Sequence, residues 1–169
     1  MSKLFKGLLI TLILTAFSVA AVSAEEVNNV ATLAAGASIG NVSSTAAFTA
    51  GANSTVNGYV NATFAVTLGA GCSVTGNVSA GAAFTSGDGA KVKGSVSTKA
   101  AFTSGANSAI GGNVTVGADF TSGANSVISG NVYVTGDITL GAGSKVLGSV
   151  HSGTGVITFG AGSAVGSVK

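Results

Sequence analysis

The sequence predicts an all-β fold: a single β-solenoid of about eight 18-residue coils with a roughly triangular section. Three observations predict it. The chain repeats itself every 18 residues, its apolar positions alternate with small or polar ones, and glycine returns at fixed places in each repeat. The repeat is plain in "AFTAGANSTVNGYVNA" (47–62), "AFTSGANSAIGGNVTV" (101–116) and "DFTSGANSVISGNVYV" (119–134). Full coils begin at Ala47, Ala65, Ala83, Ala101, Asp119 and Asp137. A shortened coil with "TLAAGASIGNV" from Thr32 precedes them, and one with "TFGAGSAVGSV" from Thr158 follows.

Alternation assigns the interior. Phe48, Phe84, Phe102 and Phe120 share one column with Val66, Ile138 and Ile157. Val56, Val74, Val92, Ile110, Ile128 and Val146 form a second column. Val60, Val78, Val96, Val114, Val132 and Val150 form a third. Period two places all three inside, on three short β segments per coil. Gly51, Gly69, Gly87, Gly105, Gly123, Gly141 and Gly160 then mark one corner. Gly58, Gly76, Gly94, Gly112, Gly130, Gly148 and Gly166 mark another. Glycine suits such places because it accepts positive φ or a close backbone approach.

Composition agrees with one packed domain. The chain has 169 residues, 27 of them Gly, no Pro or Trp, and only 7% charged side chains. Its 46% apolar content argues against disorder, and without a Gly-X-Y period it is not collagen. Residues 1–24 read as a secretory signal peptide. Lys3 and Lys6 precede the apolar run "LLITLILTAFSVAAV", and "VSA" ends it before a cut at Ala24–Glu25. Residues 25–30 are a short lead and 31–169 the solenoid. The rival reading is a retained membrane anchor, for which the run is short. The expected location is secreted or extracellular, with retention in a periplasm or at the cell surface open. Two of the seven lysines lie in the leader, leaving five against five acids. A net charge near zero argues against nucleic acid or an anionic membrane as partner.

Candidate chemistry is sparse, and no enzyme, small-molecule substrate or cofactor is expected. Cys72 is the only cysteine, at a repeat position otherwise held by Ser or Ala, so it reads as a small buried side chain. His151 is the only histidine, at a variable outward position without a partner of metal-ligand spacing. The glycines lack the Walker Lys-Ser/Thr sequence, and the calcium-binding nonapeptide is missing. Asp119 and Asp137 stack one coil apart, either sharing a proton or cation or standing as outward polar substitutions in an alanine column. Lys91, Lys93 and Lys145 read as a solvated face.

The threonines are more regular. Thr32, Thr49, Thr67, Thr85, Thr103, Thr121, Thr139 and Thr158 hold one repeat position in all eight coils. Each follows an inward residue and therefore points out, with Ala47, Ala65, Ala83 and Ala101 two residues earlier on the same surface. The result is a flat strip of methyl and hydroxyl groups repeating about every 4.8 Å. A structural threonine ladder accounts for this column as well as binding does.

At "AVTLGAGCSVTGNVSAGA" (65–82) and "DITLGAGSKVLGSVHSGT" (137–154) the chain resembles the secreted β-solenoid ice-binding (antifreeze) proteins of bacteria and cold-living fungi. The resemblance covers about residues 31–169. It implies extracellular adsorption to ice, without catalysis, through a flat solenoid face that pre-orders water. The repeats also resemble bactofilins, which polymerise end to end. The ice-binding family usually adds a non-repetitive cap and a helix beside the solenoid. Here the coil edges are expected to be open, which invites self-association through the ends. The alternative function is therefore an extracellular structural protein assembling end to end into fibres or matrix.

Overall fold

The computed structural model describes Val27–Asn28 and residues 32–169. The expected leader, 1–24, lies outside the described residues. What is described is a β-solenoid: all β, without a helix, in parallel coils stacked one on the next. Each full coil contributes one short strand to each of three ladders. The first ladder has eight rungs: Thr32–Leu33, Phe48–Ala50, Val66–Leu68, Phe84–Ser86, Phe102–Ser104, Phe120–Ser122, Ile138–Leu140 and Ile157–Phe159. The second runs from Ser38–Ile39 through Lys91–Val92 to Val127–Ile128. The third runs from Val27–Asn28 through Val96–Thr98 to Val132–Val134, so it begins inside the stretch the sequence reads as a lead. One longer strand, Lys145–Ser152, passes from the second ladder into the third and joins both into a 15-stranded sheet.

Strands of two or three residues are stable here only because neighbouring coils hydrogen-bond to them. Each three-residue rung from Phe48–Ala50 to Ile138–Leu140 alternates buried, exposed, buried. All three apolar columns lie inside, apart from Ile157, which is partly covered on the last coil. Phe84, Phe102 and Phe120 stack ring on ring, with centroids 5.0 and 4.8 Å apart and planes within 13°. Phe48 is equally buried but is separated from that stack by Val66. In-register stacking forces this near-parallel geometry, and each pair contributes about 0.5–1.5 kcal/mol beyond area burial.

Three further columns also face inward, and the alternation of large apolar residues did not disclose them. Ser86, Ser104 and Ser122 continue a column that holds Leu68 and Leu140. Ser54, Cys72, Ser108, Ser126 and Ser144 form another, and Ala62, Ala80, Thr98, Val116 and Val134 a third. Cys72 is buried, as its repeat position implies; its thiol contacts Gly51 O at 2.9 Å and Ser54 Oγ at 3.0 Å.

The glycine columns divide the two roles that the sequence offers them. Neither recurrent column has positive φ; that backbone falls to the next turn, at Asn53, Gly71, Gly89, Asn107, Asn125 and Gly143. The recurrent glycines answer to close approach instead. A Cβ at Gly87 would stand 2.6 Å from Ala70 N, and one at Gly76 would stand 2.8 Å from Gly58 O. No side chain fits between coils at those points.

Phe102→Ala, which opens the middle of the stack, should cost about 3–5 kcal/mol in denaturant unfolding of the chain. Gly87→Ala should cost about 1–3 kcal/mol, because the coils must part to admit a methyl group. A Phe102→Ala protein as stable as wild type would contradict the stacked core.

Candidate functional site

The first ladder carries the threonine column. Its strands pair Thr32 with Thr49, Thr49 with Thr67, Thr67 with Thr85 and Thr85 with Thr103. The series continues without slip through Thr121 and Thr139 to Thr158. All eight side chains are exposed. From Thr49 to Thr139 each stands between two buried neighbours, which fixes its outward direction. The hydroxyls and methyls thus follow the parallel-strand repeat of about 4.8 Å.

Ala47, Ala65, Ala83 and Ala101 precede the strands but belong to the same ladder. Phe48 N donates to Ala65 O at 2.9 Å, Val66 N to Ala83 O at 3.0 Å and Phe84 N to Ala101 O at 3.0 Å. Ala47 is exposed and the other three are half-buried. Two residues past each threonine from Thr49 onward, the ladder takes in the glycine that the sequence assigns to a corner. Gly51 N donates to Leu33 O, Gly69 N to Ala50 O, Gly87 N to Leu68 O and Gly105 N to Ser86 O, each at 2.7 Å. The face is therefore three columns wide: alanine, threonine, glycine. The glycine column is the component that sequence reasoning missed. Its signal is the T-x-G spacing, which puts glycine in register with the threonine on a strand of period two.

Side chains from within hold this surface in place. Ser108 Oγ donates to Gly87 O at 3.2 Å, Ser126 Oγ to Gly105 O at 3.1 Å and Ser144 Oγ to Gly123 O at 2.8 Å. Each of these three glycines is thus bonded through its N–H to the preceding coil and through its carbonyl to a buried hydroxyl. No buried side-chain oxygen or nitrogen among the described residues lacks a partner.

The remaining candidates separate from the face or border it. His151 is on the third ladder, paired with Tyr133, and its Nδ1–H donates to Lys169 O at 2.9 Å. Lys91 and Lys145 are exposed on the second ladder, with Lys93 immediately after the Lys91–Val92 strand. Asp119 and Asp137 occupy the alanine column of the later coils. Asp119 Oδ1 accepts from Asp137 N at 3.0 Å, and Asp137 Oδ1 accepts from Thr154 Oγ1 at 2.5 Å. Their oxygens thus hold the next coil. Among the described residues no group of three His, Cys, Asp or Glu side chains is placed to hold a metal ion.

The same device recurs on the corner before the third ladder. Asn41 Oδ1 accepts from Tyr59 N, Asn77 Oδ1 from Ser95 N, Asn113 Oδ1 from Asn131 N and Asn131 Oδ1 from Ser149 N, at 2.8–3.1 Å. In each case a side chain caps the backbone one coil ahead. The face itself offers methyls, hydroxyls and bare backbone, with the two carboxylates of Asp119 and Asp137 in its later coils. Comparison with models of known families, with characterised proteins and with solved structures gives no match.

Proposed function

We propose that the chain is a non-enzymatic ice-binding protein that acts outside the cell, adsorbing to ice through the Ala/Thr face. One observation carries the reading: eight exposed threonines in unbroken register on one ladder. Ice is a periodic ligand, so the surface that recognises it must repeat at a matching interval and stay flat. The strand spacing of about 4.8 Å lies close to the spacing of oxygen rows in hexagonal ice. Methyl groups leave neighbouring water to bond to itself, and hydroxyls anchor it at the same interval. Each contact is weak, so rigidity is what lets many act together; an ordered surface loses little entropy on adsorption.

A paired substitution tests this. Thr103→Lys places a charge in the middle of the face, and Ser97→Lys places the same charge on the third ladder, where Ser97 is exposed. Thermal hysteresis should be lost for Thr103→Lys alone, with folding stability lowered by about 1 kcal/mol or less. Wild-type protein without hysteresis or recrystallisation inhibition would sink the reading. Export has its own check: the mature chain should begin at Glu25 by N-terminal sequencing.

A second reading is end-to-end assembly as an extracellular structural protein, and the last coil favours it. Phe159 and Val168 are 47% and 56% exposed, whereas their partners in the preceding coil, Leu140 and Val150, are buried. A second copy presenting the same columns would cover them by strand addition, and head-to-tail contacts of this kind grow into filaments. Under this reading Phe159→Lys should dissolve thin unbranched filaments seen by electron microscopy. A monomer independent of concentration in ultracentrifugation would remove it.

A further inference from the structure

The three columns of the face are not uniform along the solenoid. From Thr32 to Gly105 they contain only Ala, Thr and Gly, without an ionisable group. In the next two coils the alanine position is Asp119 and then Asp137, and in the last it is Val156. These residues occupy the same place in the ladder as the alanines: Phe102 N donates to Asp119 O, and Phe120 N to Asp137 O, both at 2.9 Å, and Ile138 N to Val156 O at 3.0 Å. Both carboxylates are exposed, two residues from Thr121 and Thr139 on the same outward side. Nor do they swing freely, because Asp119 Oδ1 is bonded to Asp137 N and Asp137 Oδ1 to Thr154 Oγ1.

We infer that the ice-binding strip is confined to the coils from Thr32 to Gly105, and that Asp119 and Asp137 end it. The inference rests on the ice-binding reading above. An ionised carboxylate holds its water with its hydrogens turned toward the oxygens, and removing that water is far costlier than removing it from a methyl or a hydroxyl. Ice growing onto the strip must meet water already in its own arrangement. Alanine and threonine permit that; a carboxylate fixed at the same level does not. Thr121 and Thr139 keep the ladder geometry but lack the uncharged border that makes the earlier rungs a continuous surface, and they part Thr158 from those rungs. Asp88 does not interrupt the strip. It stands in the turn past Gly87, where its Oδ1 accepts from Ala106 N at 2.8 Å.

The experiment uses the full mature chain and thermal hysteresis at matched concentration. Asp119→Asn with Asp137→Asn retains an oxygen acceptor for the next coil and removes both charges; hysteresis should rise above wild type. Ala83→Asp should lower it, by extending the charged border into the clear coils. Independently of any change at the acids, Thr67→Lys should abolish hysteresis while Thr139→Lys keeps most of it. An active wild type whose double Asn variant is unchanged, or in which Thr139→Lys is as damaging as Thr67→Lys, overturns the confinement and leaves ice binding standing. A wild type without hysteresis overturns both.

Discussion

Everything in this molecule depends on one constraint: each coil must hydrogen-bond, residue for residue, to the coil before it. Strands of two or three residues have no stability alone, and none of the ladders is closed by a hairpin. The register therefore has to survive the whole length of the solenoid, since a slip of one residue would turn every inward side chain outward. The sequence meets that demand with spacing. The threonine ladder pairs like with like from Thr32 to Thr158, although the first coil is one residue shorter and the last one longer. Both irregularities fall between strands, in the segments from Ile39 to Val42 and from Ser152 to Ile157, and the threonine ladder stays in register across them. A compensating shift falls between Val146 and Ser149, where the strand Lys145–Ser152 pairs with Ala164–Val168.

The same constraint explains why so few residue types serve. Backbones approach within contact distance at the recurrent glycines, so a methyl at Gly87 or Gly76 would collide with the neighbouring coil. In the turns, asparagine alternates with glycine because both accept the left-handed backbone, as at Asn53 and Gly71. At the outer corners Asn, Ser or Asp supplies an oxygen to the N–H one coil ahead, as in Asn113 to Asn131 and Asp119 to Asp137. All these caps run in one direction along the chain. A coil in place thus presents acceptors for the next, which suits a fold whose stability is a sum of neighbour-to-neighbour terms.

Phe48, Val56 and Val60 were legible as core because large apolar residues separated by small or polar ones announce their own direction. Ser86, Ser108 and Thr98 were not, because a small hydroxyl residue reads the same way on either side of a strand. What decides their direction is a partner, and the partner is supplied by the fold: Ser108 faces inward because Gly87 O waits there at 3.2 Å. The glycine column of the face was hidden for a related reason. Glycine signals a turn in most sequences, and its other use, permitting two backbones to touch, becomes visible only when the neighbouring coil is in place. The threonine column needed no such help, since its direction follows from the buried residues on both sides of it.

The three ladders can be weighed against one another as controls within a single fold. If threonine were present only because it favours extended backbone, the outward positions of the other ladders would carry it equally often, or carry Val, Ile and Tyr in its place. They do not settle on anything. The second ladder shows Ser73, Lys91, Ala109, Val127 and Lys145 in succession, and the third shows Asn61, Ser79, Ser97, Thr115, Tyr133 and His151. Those positions have the same coil spacing and also face outward, fully exposed on the third ladder and partly covered at Ser73, Ala109 and Val127 on the second, so the fold itself tolerates polar, charged, apolar and aromatic groups there. Only the first ladder holds one residue throughout. Backbone propensity has no means of telling the ladders apart, whereas a requirement imposed from outside does, because an external surface meets one side of the solenoid at a time. Under the proposed reading the threonines from Thr32 to Thr103 answer to what the face meets, and the unbroken ladder through Thr121, Thr139 and Thr158 keeps that face flat and in register.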